Sequence, residues 1–263
     1  MRAMFNPSEI DQFRRDGYLI VRGLAEASMC TAMAEFTQEA LAAERGPLEY
    51  EADVKYPGAP ASLDVTGGHT VRRLLQAYAR HKMFQEWAGN PLVLDRIRQL
   101  LGPHIVLPQA HHNCIMTKQP RYSSATLWHQ DIRYWSFQRP DLISAWTALG
   151  PEFLENGCLQ LLPGTHALTF SNEQLDDALF LRPGLEENQA LLGHKVTAEL
   201  DTGDVLFFHC RTFHGAERNQ TGHAKFSLVF TYRSADNLPL AGSRSAQQKE
   251  ITMPNPASDE YLS

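Results

Sequence analysis

Cysteine is scarce in this sequence, with four residues in a chain of 263. Cys30, Cys114, Cys158 and Cys210 stand far apart, and no CxxC pair occurs among them. A structural zinc site needs closely spaced ligand pairs and a disulfide framework needs a higher density of cysteine, so neither is indicated. Isolated thiols are typical of a reducing compartment, and we expect the protein in the cytoplasm.

Long apolar runs and clusters of basic residues are also missing. No stretch approaches the roughly eighteen uninterrupted apolar residues of a membrane helix, and the opening MRAMFNPSEIDQFRRDGY carries charges where a signal peptide has an apolar centre. The net charge is −6, without a lysine or arginine run, which argues against a nucleic-acid partner. We therefore expect a small-molecule substrate and neither nucleic acid nor membrane as a partner. The sequence indicates no oligomeric state.

The first part of the chain, residues 1–102, is predicted to be mostly helical. Asn6 suits an N-cap, Pro7 the first helical position and Glu9 the first turn of a helix that ends at Gly17. Residues 18–24 are then predicted to be β-like. Apolar spacing predicts two further helical segments, at 27–44 and at 72–101, the second with breaks at Gly89 and Pro91.

From Pro103 onward the sequence changes to short apolar or alternating runs separated by turn residues, which is typical of an antiparallel sandwich or barrel. No polar linker separates this part, residues 103–234, from the helical part. We therefore expect one domain over residues 1–263, with residues 235–263 as a C-terminal segment. Strands are predicted near 104–117, 126–131, 142–149, 158–162, 196–200, 204–210 and 225–233.

The stretch TLWHQDIRYW, residues 126–135, sets His129 and Asp131 two residues apart. Side chains two positions apart on a strand face the same side, so these two could bind one ion together. Two imidazoles and one carboxylate on one face of a metal ion leave coordination positions open, as in non-haem Fe(II) oxygenases. The second histidine must come from a distant strand, and both His209, within LFFHC, and His214, beside Gly215, are candidates.

Two further motifs lie in the β-rich part. ENGCLQLLPGTH, residues 155–166, begins with the tight-turn pair Asn156-Gly157 ahead of a predicted strand. GDVLFFHCRTFHGAERNQTGHAKFSLVFTYRS, residues 203–234, combines a Gly-Asp turn, an apolar strand, the two histidines, a polar hairpin and a second apolar strand. Asp204 is expected to serve the turn.

These motifs together resemble the phytanoyl-CoA dioxygenase family of Fe(II)- and 2-oxoglutarate-dependent oxygenases. The similarity extends from about residue 111 to residue 234 and includes HQD, AWTAL, ENGCLQLLPGTH and GDVLFFHCRTFHG. The resemblance implies a mainly β fold with some α, in which a double-stranded β-helix, the cupin-like jelly roll, has the N-terminal helices packed outside. It also implies iron held by His129, Asp131 and His214, and so selects His214 over His209.

The resemblance further implies the reaction. Fe(II) and 2-oxoglutarate would serve the hydroxylation of a small organic substrate with release of succinate and CO2, and ascorbate would be the reductant in vitro. A glycine or alanine at position 131 would indicate a halogenase, whereas Asp131 favours hydroxylation. A non-catalytic jelly-roll module that binds a ligand without turnover and a cupin-type metal enzyme that uses no oxo acid are the alternatives.

The sequence departs from the family pattern in the cosubstrate site. The family usually has an arginine eleven residues after the second histidine, where this chain has Lys225. A lysine can hold the distal carboxylate of the oxo acid as a point charge, with less geometric control than a guanidinium fork. Ala216 stands where the family often has a hydroxyl residue. Arg218 and Arg233 are alternative cations. The resemblance assigns four residues to this site: Lys225, Trp146, Gln130 and Cys114.

Residues around the HQD motif are expected to contact the substrate. Adjacent strand residues face opposite ways, so at most one of His111 and His112 should face the cavity. Arg133 and Arg139 are interpreted as solvated, with contact to an anionic substrate as the alternative. The loop 45–70, rich in Gly, Pro and Ala, and the segment 234–263 are expected to cover the substrate. The predicted substrate contacts are His112, Tyr134, Trp135 and Arg218.

Overall fold

The computed structural model describes residues 4–255 of the chain. No helix in that range is long and apolar enough to span a membrane. The helices are α1 (Pro7–Asp16), α2 (Ala27–Ala42), α3 (Glu51–Val54), α4 (Ala77–Arg80), α5 (Lys82–Ala88), α6 (Pro91–Leu101) and α7 (Glu186–Leu192). The strands are β1 (Tyr18–Val21), β2 (Leu48–Tyr50), β3 (Val71–Leu75), β4 (Ile105–Leu107), β5 (Asn113–Lys118), β6 (Thr126–His129), β7 (Leu142–Ala148), β8 (Leu159–Leu161), β9 (Val196–Thr197), β10 (Val205–His209), β11 (His214–Ala216), β12 (Lys225–Ser234) and β13 (Ile251–Thr252).

The strands pair in antiparallel fashion and form two sheets. The larger sheet has the order β1-β10-β7-β12-β5-β3-β2, with β4 paired to β12 and β13 paired to β4, and the smaller sheet has the order β6-β11-β8-β9. Trp146 and Val229 of the larger sheet share one apolar cluster with Leu159 and Leu161 of the smaller sheet. The two sheets therefore face each other, which is the predicted jelly roll.

The helices cover the outer face of the larger sheet. Leu228 and Phe230 of β12 enter the same apolar core as Phe13 of α1 and Ile97 of α6. The intervening Val229 points to the inner cluster, because side chains alternate along a strand. The larger sheet is thus covered on both faces, and every residue of β12 except the last is buried. The prediction of helices packed outside the β core is confirmed.

The first helix begins and ends where its sequence predicts. The side chain of Asn6 accepts a hydrogen bond from the N–H of Glu9 at 3.0 Å, and the carboxylate of Glu9 accepts from the N–H of Asn6 at 2.7 Å. Pro7 occupies the first turn, and Gly17 ends the helix with a φ of 78°. This reciprocal cap satisfies two backbone donors that the first turn leaves without helical partners.

The predicted helical segment 72–101 is wrong at its start, where the chain forms strand β3. Leu74 of β3 pairs with Ile115 of β5, and both are fully buried. A run of five residues is too short for apolar spacing to distinguish a strand from a helix, so the pairing with β5 decides the structure. The predicted surface loop before it is also wrong in part, because it contains β2 and α3.

The β-rich part differs from prediction mainly at short elements. The predicted strand 104–117 is divided into β4 and β5, and the predicted strand 126–131 ends at His129. Strand β11 has three residues and helix α7 seven, and both lie in stretches for which the sequence predicts no element. The long apolar runs 142–149, 204–210 and 225–233 correspond to β7, β10 and β12.

The turn before β10 fastens the N-terminal segment to the jelly roll. The buried carboxylate of Asp204 accepts hydrogen bonds from the N–H of Asp201 at 2.8 Å and from the N–H of Gly23 at 2.7 Å. Gly203 has a φ of 91°, and its carbonyl accepts from the N–H of Ala25 at 2.9 Å. Asp204 therefore serves the turn as expected and also fixes the end of β1.

Replacement of Gly203 tests this attachment. A Cβ at position 203 would lie 2.3 Å from the carbonyl oxygen of Ala25, in a backbone conformation that L residues rarely adopt. We expect Gly203→Ala to lower the free energy of unfolding by about 2 kcal/mol or more, measured by denaturant titration. Gly222→Ala is the control, because no atom lies within 4 Å of its added Cβ. Equal stability of the two variants would contradict the assignment.

Candidate metal and cosubstrate site

Three side chains that can bind a metal ion converge between the two sheets. His129 ends β6 and His214 begins β11, and the two residues are direct cross-strand partners. Asp131 opens the 3₁₀ turn after β6, so its carboxylate returns toward both rings. Asp131 Oδ1 lies 3.8 Å from Nε2 of His129 and 3.7 Å from Nε2 of His214. The structure thus brings together the three ligands that the resemblance implies.

Each histidine ring is oriented by a carbonyl two residues earlier in the chain. Nδ1 of His129 lies 2.8 Å from the carbonyl oxygen of Leu127, and Nδ1 of His214 lies 3.0 Å from that of Thr212. Because a carbonyl can only accept, Nδ1 of each ring carries the hydrogen and Nε2 keeps its lone pair. The two lone pairs are on the Asp131 side, in the arrangement usual for metal-bound histidines.

The three donors are buried, and one of them lacks a partner. His129, Asp131 and His214 are 6%, 1% and 4% exposed, and Oδ2 of Asp131 accepts no hydrogen bond within residues 4–255. Burial, followed by the neighbouring His214, holds the pKa of His129 well below its usual range, so this imidazole is neutral. A buried carboxylate oxygen without a donor is unfavourable unless a cation meets it. The donor set therefore fits a divalent ion such as Fe(II).

A cavity of about 550 Å³ opens beside the three donors, within the usual size range of small-molecule sites. Strands of both sheets form part of its wall, and loops form the rest. The strand residues include Lys118, Trp146, Leu159, Ala216 and Lys225. The loop residues include Tyr56, His111, Arg133, Tyr134, Phe180 and Arg244.

Lys225 is buried in the cavity wall beside a carboxylate that sequence analysis does not reveal. Its Nζ donates to Oε2 of Glu152 at 2.9 Å and to Oγ of Ser227 at 3.0 Å. The other carboxylate oxygen of Glu152 accepts from Ser227 Oγ at 2.6 Å and from Trp146 Nε1 at 3.0 Å. An ammonium group has three donors, so one N–H of Lys225 is left for a group in the cavity.

Two further basic residues stand on the same part of the wall. Lys118 pairs with Lys225 in the β5–β12 register, and burial, followed by the charges of Arg72 and Lys225, lowers the pKa of Lys118 to about 7. Lys118 Nζ donates to two backbone carbonyls. Arg72 reaches the carboxylates of Glu49 and Glu51 only at 3.5 Å and 3.7 Å. This part of the wall therefore contains Lys225, which is tightly paired with Glu152, Lys118, whose pKa is lowered by burial, and Arg72, which is loosely paired.

The other predicted cosubstrate residues lie at different distances from the cavity. Trp146 lines it, and the Nζ of Lys225 lies 5.2 Å from the Trp146 ring centroid. Cys114 lies behind the wall in the apolar cluster that contains Trp146, and burial raises the pKa of its thiol to about 11. Gln130 does not reach the cavity, because its side-chain amide donates to the carbonyl of Arg211. The predicted contact of Gln130 with the cosubstrate is corrected accordingly.

Three of the four predicted substrate residues line the cavity. Tyr134 does so with its hydroxyl 2.8 Å from that of Tyr56, and Trp135 and His112 pack edge to face at 5.3 Å. Arg218 is the exception, because its guanidinium donates to backbone carbonyls of the 121–123 segment, and it lines a separate surface depression. The predicted contact of Arg218 with the substrate, and its role as an alternative cation, are corrected by this position.

Both histidines of the His111-His112 pair line the cavity, contrary to the prediction that at most one does. The pair lies in a bend before β5 begins at Asn113, so the alternation of a strand does not apply to it. His111 Nε2 lies 2.8 Å from Ser245 Oγ, and His112 Nδ1 lies 3.5 Å from Asp131 Oδ2. His112 therefore stands next to the candidate metal ligands.

The remaining candidates of the sequence analysis lie away from the three donors. His209 Nε2 is 3.5 Å from the carboxylate of Asp141, and His209 does not line the cavity. Arg139 is exposed and pairs with Asp236 at 2.7 Å. Arg233 is paired with Glu250. His209 thus takes no part in the cluster of His129, Asp131 and His214.

The predicted covering segments contribute to the cavity wall. Val54 and Tyr56 come from the loop 45–70, and Arg244 and Gln248 come from the segment 234–263, whose residues 256–263 lie outside the described part of the chain. A third segment was not predicted, because residues 168–185 carry no clear periodicity. It supplies Phe180, whose ring centroid lies 6.0 Å from that of His129.

The family of the chain follows from comparison with known proteins. The sequence model described as phytanoyl-CoA dioxygenase (PhyH) matches residues 13–227. The chain belongs to this family. The human peroxisomal phytanoyl-CoA dioxygenase is 29% identical over 173 residues, covering 62% of this chain and 49% of the human protein. Ectoine dioxygenase of Stutzerimonas stutzeri strain A1501 is 24% identical over 246 residues, covering 87% of this chain and 76% of that protein.

The PhyH-family chain spans about half the length of the human and Caenorhabditis elegans phytanoyl-CoA dioxygenases that it matches. Among solved structures, EctD from S. alaskensis with 2-oxoglutarate and 5-hydroxyectoine has a TM-score of 0.68 and 21% identity, covering 90% of this chain and 78% of that one. The non-heme alpha ketoglutarate dependent carbocyclase SnoK has a TM-score of 0.71 and 19% identity, covering 95% and 97%. These similarities confirm the predicted family and jelly-roll fold.

Metal titration tests the three converging donors. We expect the protein to bind one Fe(II), or Co(II) as a spectroscopic substitute, and His214→Ala to weaken that affinity by about tenfold or more. Mutation of a residue that only hydrogen-bonds to a metal ligand already lowers metal affinity or activity by about 10- to 100-fold. His209→Ala is the matched control, because His209 lies outside the cluster. Equal metal affinity of both variants would exclude His214 as a ligand.

Proposed function

We propose that this chain is an Fe(II)- and 2-oxoglutarate-dependent dioxygenase that hydroxylates a small organic substrate and releases succinate and CO2. One observation carries the proposal: the Nε2 atoms of His129 and His214 and Oδ1 of Asp131 converge beside a cavity, and Oδ2 of the same buried carboxylate accepts no hydrogen bond within the described residues. Membership in the phytanoyl-CoA dioxygenase family supports the reaction class.

His129, Asp131 and His214 would hold the iron. With a 2-oxo acid, bound Fe(II) supplies the activation of dioxygen, of which one oxygen atom enters succinate and the other the substrate. The chain keeps both rings oriented through their Nδ1 hydrogens and leaves one side of the donor set open to the cavity. Tyr134 and Phe180 stand over His129 at ring-centroid distances of 6.1 Å and 6.0 Å, where they limit access of water.

We propose Lys225 as the residue that binds the distal carboxylate of the oxo acid. Its third N–H is unused by Glu152 and Ser227, and its side chain lines the cavity beside Trp146. Glu152 would fix the ammonium group of Lys225 in place and offset its charge. Binding of the oxo acid would therefore depend more on the one hydrogen bond from the third N–H of Lys225 than on the net charge of the site. Cys114 would support the site from behind by packing with Trp146.

Succinate release tests the proposed reaction. Protein incubated with Fe(II), 2-oxoglutarate, ascorbate and dioxygen should release succinate slowly even without a prime substrate, and a chelator or His214→Ala should abolish the release. His209→Ala should behave as the unaltered protein. Iron binding without any consumption of the oxo acid would favour a non-catalytic binding module. Substrate turnover without an oxo acid would favour a cupin-type metal enzyme.

A double substitution tests Lys225. Removal of the lysine alone would leave the carboxylate of Glu152 buried and unpaired, which typically costs about 3–5 kcal/mol, so both charges are removed together. We expect Lys225→Met with Glu152→Gln to raise the dissociation constant of 2-oxoglutarate by about tenfold, measured by calorimetry on Zn(II)-loaded protein, because a charged hydrogen bond is lost.

The exposed Lys195→Met serves as the control for this measurement. Metal affinity of the double variant should stay unchanged, since neither residue contacts the three donors. Unchanged affinity for 2-oxoglutarate in the double variant would assign the distal carboxylate to Lys118 or Arg72, the other basic residues of that wall.

We also propose that residues 1–263 form one domain and that the protein works in a reducing compartment such as the cytoplasm. The apolar core shared by α1, α6 and β12 supports the first proposal. The four cysteines, all buried and free, support the second. One domain predicts a single cooperative unfolding transition in a denaturant titration. The location is tested by cell fractionation, in which the protein should appear in the cytoplasmic fraction.

A further inference from the structure

The outer part of the cavity carries positive charge that the described residues do not neutralise. Six lysine and arginine side chains line the cavity, but only two carboxylates, Glu49 and Asp131, do so. Glu49 pairs with Arg73 through both oxygens, Arg72 lies 3.7 Å from the carboxylate of Glu51, and Lys225 is paired with Glu152 from behind the wall. Asp131 faces the metal donors. The guanidinium groups of two lining arginines have no hydrogen bond or ion pair within residues 4–255; these are Arg133 and Arg244.

Arg133 is held by aromatic rings instead of by an anion. Its guanidinium carbon lies 3.6 Å from the ring centroid of Phe180 and 4.5 Å from that of Tyr134. Its Nη1 is buried and has no hydrogen-bond partner in the described part of the chain. Contact with two rings orients the planar group and removes water from part of it, so a guanidinium without an anionic partner among the described residues lines the cavity.

The position of Arg133 suits a molecule that also reaches the reaction centre. Tyr134 and Phe180, the rings that hold the guanidinium, are the same rings that stand over His129. Tyr134 is itself fixed by the hydrogen bond between its hydroxyl group and that of Tyr56. A short apolar body lying along these rings would therefore have its acidic end at Arg133 and its other end beside the metal donors.

The other charges of the loaded site would not neutralise Arg133. A divalent ion, the Asp131 carboxylate and a dianionic oxo acid together carry one negative charge, and they lie at the donors and the inner wall. Glu152 cancels the charge of Lys225 there. Arg244, on the C-terminal segment, adds a second unpaired guanidinium to the cavity lining.

We infer that the prime substrate is an organic acid with an apolar or aromatic body, and that Arg133 binds its acidic group. The inference rests on the proposed function, since it names the substrate class of the same site. Arg133 determines specificity in this arrangement, because a neutral analogue would leave its guanidinium without an anionic partner. A carboxylate, sulfonate or phosphate would each provide the two oxygens that a guanidinium fork prefers.

Matched acids and amides test the inference. Benzoate, phenylacetate, cinnamate and octanoate are titrated, each beside its primary amide, into protein loaded with Zn(II) and saturated with 2-oxoglutarate, so that the oxo-acid site is filled. We expect one or more acids to bind about tenfold tighter than the matched amide, as a charged hydrogen bond predicts. Acids and amides that bind equally, or acids that do not bind, would overturn the inference.

Variants then locate the preference. Arg133→Gln should reduce the ratio of acid to amide affinity to within about twofold, and Arg133→Lys should restore part of it. Arg139→Gln is the control, because Arg139 is an exposed arginine paired with Asp236 outside the cavity. If Arg133→Gln does not fold, Arg133→Lys replaces it and should lower the ratio by a smaller factor. An unchanged ratio in the variant that folds would refute the role of Arg133.

The outcomes separate this inference from the proposed function. Release of succinate by the unaltered protein, combined with equal binding of acids and amides, would refute the organic-acid substrate and leave the dioxygenase proposal standing. Absence of succinate release in the presence of a tightly bound acid would refute the dioxygenase proposal and leave an acid-binding cavity.

Discussion

The hydrogen-bonded register between β6 and β11 is the constraint on which the site depends. His129 and His214 are 85 positions apart in the sequence and become neighbours only because these strands pair, with ring centroids 4.4 Å apart. A slip of one residue in either strand would turn one ring to the opposite face of the sheet. Asp131 joins them because β6 stops at His129 and the following turn reverses the direction of the carboxylate.

Strand β12 links the stability of the fold with the chemistry of the cavity. Its alternate residues Leu228 and Phe230 enter the helix-covered core, whereas Lys225 and Ser227 face inward, where they form the hydrogen bonds with Glu152. This part of the inner wall therefore belongs to a strand in which every residue except the last is buried. The outer wall consists of loops, so the groups proposed to recognise the substrate belong to a different structural layer from those proposed to hold the oxo acid.

Local sequence patterns predict the elements that depend on interactions between residues close in sequence. The cap at Asn6, the long apolar strands and the proximity of His129 and Asp131 all follow from spacing and residue type. The choice of His214 over His209 needed the family resemblance, because both lie near the end of the same apolar run. Tertiary pairing was invisible to such patterns, which is why β3 was predicted as helix.

The same limit applies to the side chains around the cosubstrate. Glu152 lies in a loop without periodicity, so nothing in its surroundings predicted a bond to Lys225, which is 73 positions away. Gln130 is assigned from its motif position and Arg218 from its place in the hairpin, but the side chains of both donate to backbone carbonyls and neither lines the cavity. A motif predicts where the backbone of a residue lies. The orientation of its side chain depends on neighbours that are distant in sequence.

Both imidazoles take their orientation from carbonyl groups on their own segments, Leu127 for one ring and Thr212 for the other. Neither orientation requires the ion, so the protein does not need to assemble its coordination geometry when iron arrives. The same two hydrogen bonds would hold both rings toward Asp131 in a chain that has bound no iron. Metal binding would then require no reorientation of either ring.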